Sequence, residues 1–156
     1  MPRITEVIET PMNPAEAYNF VADFAQIEDW DPSVESARPT DHAAIGVGKR
    51  YDIVVKFAGQ RTRMAYEIVE FAFPTRLTLR GTSRTNVVTD TITFASCNGG
   101  TRITWHLDVS LRGGLSILNT ALYPFVKRPL SKLGKDAMDG LAVRLGGTRI
   151  RGQLAP

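Results

Sequence analysis

The stretch LSILNTALYPFVKRPLSKLGKDAMDGLAVRL, Leu115 to Leu145, decides the fold. Its apolar residues Leu118, Leu122, Phe125, Val126, Leu130, Leu133, Ala137, Leu141 and Leu145 recur in steps of three and four, which lays them on one slowly drifting stripe of an α-helix. With about 100° between successive residues, Arg128, Lys132 and Lys135 fall together on the opposite side. Pro124 and Pro129 each lack a backbone N–H, so a bend, or a start in two pieces, is predicted there. About 30 residues at ~1.5 Å each span roughly 45 Å, enough to cross a small domain. A helix with a single apolar stripe needs a concave partner, and the chain before it has to supply one.

Working outward from the helix, Gly113-Gly114 separates it from the clearest strand in the sequence. There Ile103, Trp105, Leu107, Val109 and Leu111 alternate with Thr104, His106, Asp108, Ser110 and Arg112. Cys97-Asn98-Gly99-Gly100 carries the Asn-Gly hairpin signal, and before it Val88, Asp90, Ile92 and Phe94 share one face. Leu77 and Leu79, then Met64, Tyr66 and Ile68, then Tyr51, Ile53, Val55 and Phe57 repeat the alternation, with turns near Pro74 and Gly59. Residues 49–112 therefore read as an antiparallel meander. A further strand is expected near Val34 to Thr40, and Gly46-Val47-Gly48 makes a tight connection. It is no phosphate loop, because no Gly-Lys-Ser/Thr follows.

At the N-terminal side, Arg3 to Thr10 alternates as a first strand ended by Pro11. Asn13, Pro14 and Glu16 form a helix start, with Asn13 as the cap, and that helix is expected to reach about Ala22. Asp23 with Gln26 repeats the capping pattern for a second short helix from Phe24 to Glu28 or a little beyond. Asp31 precedes Pro32 and so leaves the helical region, which places Trp30 at the exit. Residues 1–146 read as a single domain and 147–156 as a loose tail.

Composition bounds the function. The chain has 156 residues, 43% of them hydrophobic and 22% charged, the ordinary range for one globular domain. Cys97 is alone, so no intrachain disulfide forms, and no N-terminal run has the order of a signal peptide; the expected compartment is the cytoplasm. The net charge of +3 is uneven, because residues 112–156 hold eight Lys/Arg against two Asp. A basic helix face of Arg128, Lys132 and Lys135 can meet anionic lipid or an acidic partner, or simply face water. Nucleic acid is not expected, since no aromatic residues interleave with the basic ones as a stacking platform.

The order of these elements, one strand, two short helices, a meander and a long final helix, resembles the helix-grip fold of the START-like superfamily, also called SRPBCC. The resemblance covers residues 3–145. The segments Pro14 to Phe24, Trp30-Asp31-Pro32, Gly46-Val47-Gly48, Val69-Glu70-Phe71 and Gly100 to Thr104 are similar to its bacterial polyketide cyclase/dehydrase branch. It implies an α+β fold in which a curved antiparallel sheet of about seven strands wraps the last helix and leaves a hydrophobic cavity. Members of that branch include ligand carriers as well as enzymes.

The inward faces give a candidate lining of Trp30, Tyr51, Ile53, Val55, Met64, Tyr66, Leu79, Ile92, Phe94, Trp105 and Leu107, closed by Leu118, Leu122 and Phe125. Few polar tips in an apolar wall suit a fatty acid, a sterol or an aromatic polyketide. Asp90 is the oddity, because alternation aims it into this wall, where, together with the hydroxyls of Tyr51 and Tyr66, it is a candidate general acid or base in a cyclase, aromatase or dehydratase. A bulge that turns Asp90 outward to Arg84 or Arg63 is the other reading. His42, His106 and Cys97 are too scattered for a metal site or a Cys-His pair, and no dinucleotide fingerprint occurs, so no cofactor is expected. Access to the cavity is expected near Trp30 and around Pro124.

Overall fold

In the computed structural model, which describes residues 3–150 apart from the side chains of Ile117, Asn119 and Thr120, the alternating runs become strands with the expected facing. In chain order the elements are β1 (Arg3–Thr10), α1 (Pro14–Ala22), a 3-10 turn (Phe24–Gln26), α2 (Ile27–Trp30), β2 (Val34–Pro39), β3 (Arg50–Phe57) and β4 (Gln60–Ala72). Then come β5 (Arg76–Thr82), β6 (Asn86–Cys97), β7 (Gly100–Leu111), a 3-10 turn (Gly113–Leu118), α3 (Asn119–Arg144) and β8 (Thr148–Ile150). One curved sheet in the order β2-β3-β4-β5-β6-β7-β1-β8 grips α3, an α+β helix-grip architecture.

Local chemistry accounts for the joints. The Asn13 side chain accepts a hydrogen bond from Glu16 N at 2.9 Å, and Pro14 occupies the first position of α1, where its missing N–H costs nothing. Asn98 and Gly99 both have positive φ, 32° and 81°, the backbone that a two-residue hairpin between β6 and β7 requires. α1 buries Ala17, Tyr18, Val21 and Ala22, while Phe24, Ile27 and Trp30 continue the same core. Lys49, which by sequence only begins a strand, is buried. Its Nζ donates to Asp41 Oδ1 at 3.0 Å and to Ala43 O at 2.7 Å, tying down the loop before β3.

Among the described residues the sheet has eight strands rather than about seven, because Thr148–Ile150, read by sequence as tail, pairs with the free edge of β1 through Val7↔Ile150 and Glu9↔Thr148. Arg149 holds this strand, donating to Glu6 Oε2 and pairing with Asp139 Oδ1, both at 2.9 Å, so that β1, β8 and α3 are tied together. Residues 151–156 of the expected tail lie outside the described residues.

α3 runs unbroken through Pro124 and Pro129, both on its exposed side, where water can serve the carbonyls that they leave free. Only its C-terminal part is buried, through Leu130, Ala137, Met138, Leu141, Ala142 and Leu145. There α3 meets α2 so closely that a Cβ on Gly140 would stand 1.8 Å from the Trp30 carbonyl oxygen.

The expected closure of the cavity by Leu118, Leu122 and Phe125 needs correction. Phe125 is 78% exposed, since one helical step of about 100° separates it from Val126, which is turned further toward the sheet. Leu118 sits in the 3-10 turn, whose tighter winding carries it off the stripe, and it too is exposed. Leu122 is also exposed but still borders the interior.

Candidate functional site

Between the sheet and α3 lie two adjoining chambers that share Val55, Tyr66, Leu107 and Leu133 as their partition. The lower, of about 70 Å³, is bounded by β1 (Ile4, Glu6), by Phe24, Ile27 and Asp31 near α2, by Ile53, Asp90 and Trp105 on the sheet, and by Gly134, Ala137 and Met138 of α3. The upper, of about 170 Å³, is lined by Phe57, Met64, Val88, Val109 and Leu111 and covered by Leu122, Val126 and Leu130. The upper chamber is largely apolar, with Thr62, Asn86 and Ser110 its polar residues, and the acidic side chains gather below.

Asp90 is the centre of that polar end. Strict alternation along β6 turns it inward between Leu79 and Leu107 of the neighbouring strands, and it is 4% exposed. The Trp105 indole Nε1–H donates to its Oδ1 at 2.7 Å. The reading in which Asp90 turns outward fails, and Arg63 pairs with Asp52 instead. Burial above all, with the nearby Asp31 carboxylate, pushes the Asp90 carboxyl up to about 7, against the hydrogen bonds from Trp105 and Tyr66 that favour the ionised form.

Tyr66 reaches this group from two strands away, and a glycine makes the reach feasible. Tyr66 on β4 stands opposite Gly81 on β5, and a Cβ on Gly81 would lie 2.5 Å from the phenol ring. The ring therefore lies flat across β5, with its hydroxyl directed at Asp90 on β6. Burial first, then the Asp90 and Asp31 charges, drives the Tyr66 hydroxyl well above its ordinary value, so it stays a neutral donor.

Sequence reasoning missed Asp31. It is 7% exposed, lines the lower chamber, and accepts from Ser33 N at 2.8 Å and Ser33 Oγ at 2.7 Å through Oδ1. Burial raises its pKa. The only signal in the sequence was its place before Pro32, which spoke of a helix exit and not of a direction.

Of the fifteen candidate lining residues, Ile53, Val55, Met64, Tyr66, Asp90, Trp105, Leu107 and Leu122 border a chamber. Tyr51, Leu79, Ile92 and Phe94 are buried in close-packed core instead, Tyr51 with its ring 5.9 Å from that of Phe24. Trp30 backs the site without lining it, edge-on to Trp105 with ring centroids 5.4 Å apart. Trp30 is itself buried, whereas Leu122, exposed at the surface, borders the upper chamber.

Two further features bound the chemistry. Among the described residues lining the chambers there is no Lys, Arg or His, while Glu6, Asp31 and Asp90 are present, Glu6 already paired with Arg149. Among the described residues no three of His, Cys, Asp and Glu come together to hold a metal ion. His106 lies outside, its Nδ1 2.8 Å from Thr5 Oγ1. The arrangement can seat an apolar body above and offer it hydrogen-bond acceptors, a neutral phenol donor and one carboxyl that exchanges its proton near neutral pH.

Comparison with known proteins gives the setting. Residues 1–146 match the family described as polyketide cyclase / dehydrase and lipid transport. Among solved structures the chain is similar to a protein from Thermus thermophilus, at 20% identity and a TM-score of 0.76, over 92% of this chain and 97% of that one. It is similar to a START superfamily protein from Mycobacterium smegmatis, at 13% identity and 0.75, with the same coverage. It also resembles the Zhui aromatase/cyclase of a Streptomyces species, at 8% identity and 0.76, over 92% and 93%. These identities establish a shared fold. No curated protein matches the chain.

Proposed function

The chain belongs to the polyketide cyclase/dehydrase and lipid transport family, and on that premise we propose that it binds a small hydrophobic molecule between the sheet and α3, its polar end against Asp90. The observation that carries this is the paired chamber: a largely apolar upper part that adjoins, across Val55, Tyr66, Leu107 and Leu133, a lower part whose polar groups include acids and one phenol. With carboxylates and no cation in the lining, a fatty-acid headgroup would meet like charge, so an uncharged, donor-bearing end such as a phenol or alcohol fits better. Both chambers are smaller than the roughly 300 Å³ at which drug-sized ligands begin to be enclosed, which favours a guest of one or two rings. The lone Cys97 fits a reducing compartment such as the cytoplasm.

Calorimetric titration with 1-naphthol and with naphthalene-1-carboxylate tests this. Naphthol is expected to bind stoichiometrically and at least about tenfold more tightly than the anion. Leu133→Phe, which thickens the partition shared by both chambers, should abolish the binding while the protein still melts cooperatively. Equal affinity for the two compounds, or full affinity in that folded variant, would refute the reading.

A second reading, a cofactor-independent cyclase or dehydratase, is favoured by one observation: a buried carboxyl near 7 beside a phenol donor inside the cavity. It requires that Asp90→Asn abolish turnover of a substrate identified by binding, with binding itself retained.

A further inference from the structure

We propose that the 3-10 turn and the first half of α3 dock onto an anionic membrane surface, with Leu115, Leu118, Leu122 and Phe125 entering the interface. Two independent features converge on this segment. From Val109 to Lys135 the chain has no carboxylate at all, yet carries Arg112, Lys127, Arg128, Lys132 and Lys135. On the same stretch the large apolar side chains stand out in solvent, Leu115 at 43%, Leu118 at 41%, Leu122 at 40% and Phe125 at 78%. Leu122 and Phe125 stand three apart on α3, the spacing of one helix face, and Leu118 ends the 3-10 turn just before them.

The charges decide the occupant. Lys127, Arg128 and Lys135 form no ion pair among the described residues, Lys127 resting instead over the Tyr123 ring, and Lys132 pairs only with Asp136 one turn on. Phe125, at the edge of the stripe, stands only about 20° around the helix from Lys132 and about 60° from Arg128, so a second copy on this side would bring an equal positive field against it. An anionic lipid surface neutralises that field while its acyl boundary accepts the leucines and the phenylalanine. The surface also borders the upper chamber, since Leu122 belongs to both. A docked protein would therefore present its cavity to the bilayer, a consequence that rests on the carrier reading, whereas the docking itself does not.

Flotation of the full chain with vesicles tests the proposal. Vesicles of about equal parts phosphatidylcholine and phosphatidylglycerol should retain the protein at least about tenfold better than phosphatidylcholine alone, and added salt should release it. Phe125→Ser with Leu118→Ser should cut retention about tenfold or more with only a small change in melting temperature, because Phe125 is 78% and Leu118 41% exposed. Lys127→Glu with Arg128→Glu should abolish it. Retention indifferent to lipid charge and to both double variants would overturn the proposal. So would self-association of the wild type that the serine variant removes, which would make a second copy the occupant. Naphthol titration of the serine variant separates the two readings, since an intact cavity leaves that affinity unchanged whether or not docking occurs.

Discussion

Replacing Asp90 by Asn should make the protein more stable at alkaline pH and leave it nearly unchanged in acid. In the fold the carboxyl titrates at about 7, against an ordinary value of 3.8, because ionising it strands a charge among Leu79, Leu107 and Trp105. The folded state thus holds a proton that the unfolded chain releases. Below the unfolded value both states are protonated and Asp90 has no pH-dependent effect. As pH rises from about 4 to about 7 only the unfolded chain ionises, and stability falls throughout that window. Above it the penalty is complete, worth about 4 kcal/mol at ~1.4 kcal/mol for each tenfold change in proton affinity.

Asn is nearly isosteric with Asp90. Its carbonyl can still accept from Trp105 Nε1, and its amide can donate toward the Tyr66 hydroxyl, so the neutral form is closely imitated. Urea unfolding of wild type and variant between about pH 4 and 8.5, followed by the fluorescence of Trp30 and Trp105, measures the difference. The two stabilities should converge in acid and separate by up to about 4 kcal/mol in base, the variant being the more stable. A difference independent of pH, or a variant less stable at high pH, would refute the account of Asp90 as a buried, proton-holding acid.

Gly81→Ala places a methyl group 2.5 Å from the Tyr66 ring and should cost about 1–3 kcal/mol, readable in the melting temperature; adding Tyr66→Leu should recover much of it, whereas strictly additive losses would mean that the ring does not lie over Gly81. Leu141→Ala, at a fully buried position of α3, should lose about 2–5 kcal/mol, while Val143→Ala, at a site 83% exposed two residues on, should stay within about 0.5 kcal/mol. Comparable losses at the two sites in denaturant unfolding would contradict the way α3 is seated.

Much of this molecule is local, and local order is legible in a sequence. The period of two along β3 to β7 placed Tyr51, Ile53, Met64, Tyr66, Ile68, Leu77, Leu79, Ile92, Phe94, Trp105 and Leu107 inside, and it aimed Asp90 inward. A one-residue slip would turn all of them to water. The Asn13 cap and the Asn98-Gly99 turn were equally legible, because each is a short-range bond or a φ that few residues adopt.

Only the tertiary structure decided how far along α3 the sheet extends. Helical spacing treats Phe125 and Leu141 alike, yet one is 78% exposed and the other fully buried, because coverage depends on a surface more than a hundred residues of chain have to assemble first. The same holds for Asp31, brought beside Asp90 from the end of α2, and for Tyr66, which reaches Asp90 only across Gly81. Which interior positions fill and which stay open was decided there too. Ile92 and Trp105 point the same way in adjacent strands, but close packing seals the first and leaves the second on a cavity wall. Periodicity determines a side chain's direction; what it meets there depends on distances between elements that no local pattern encodes.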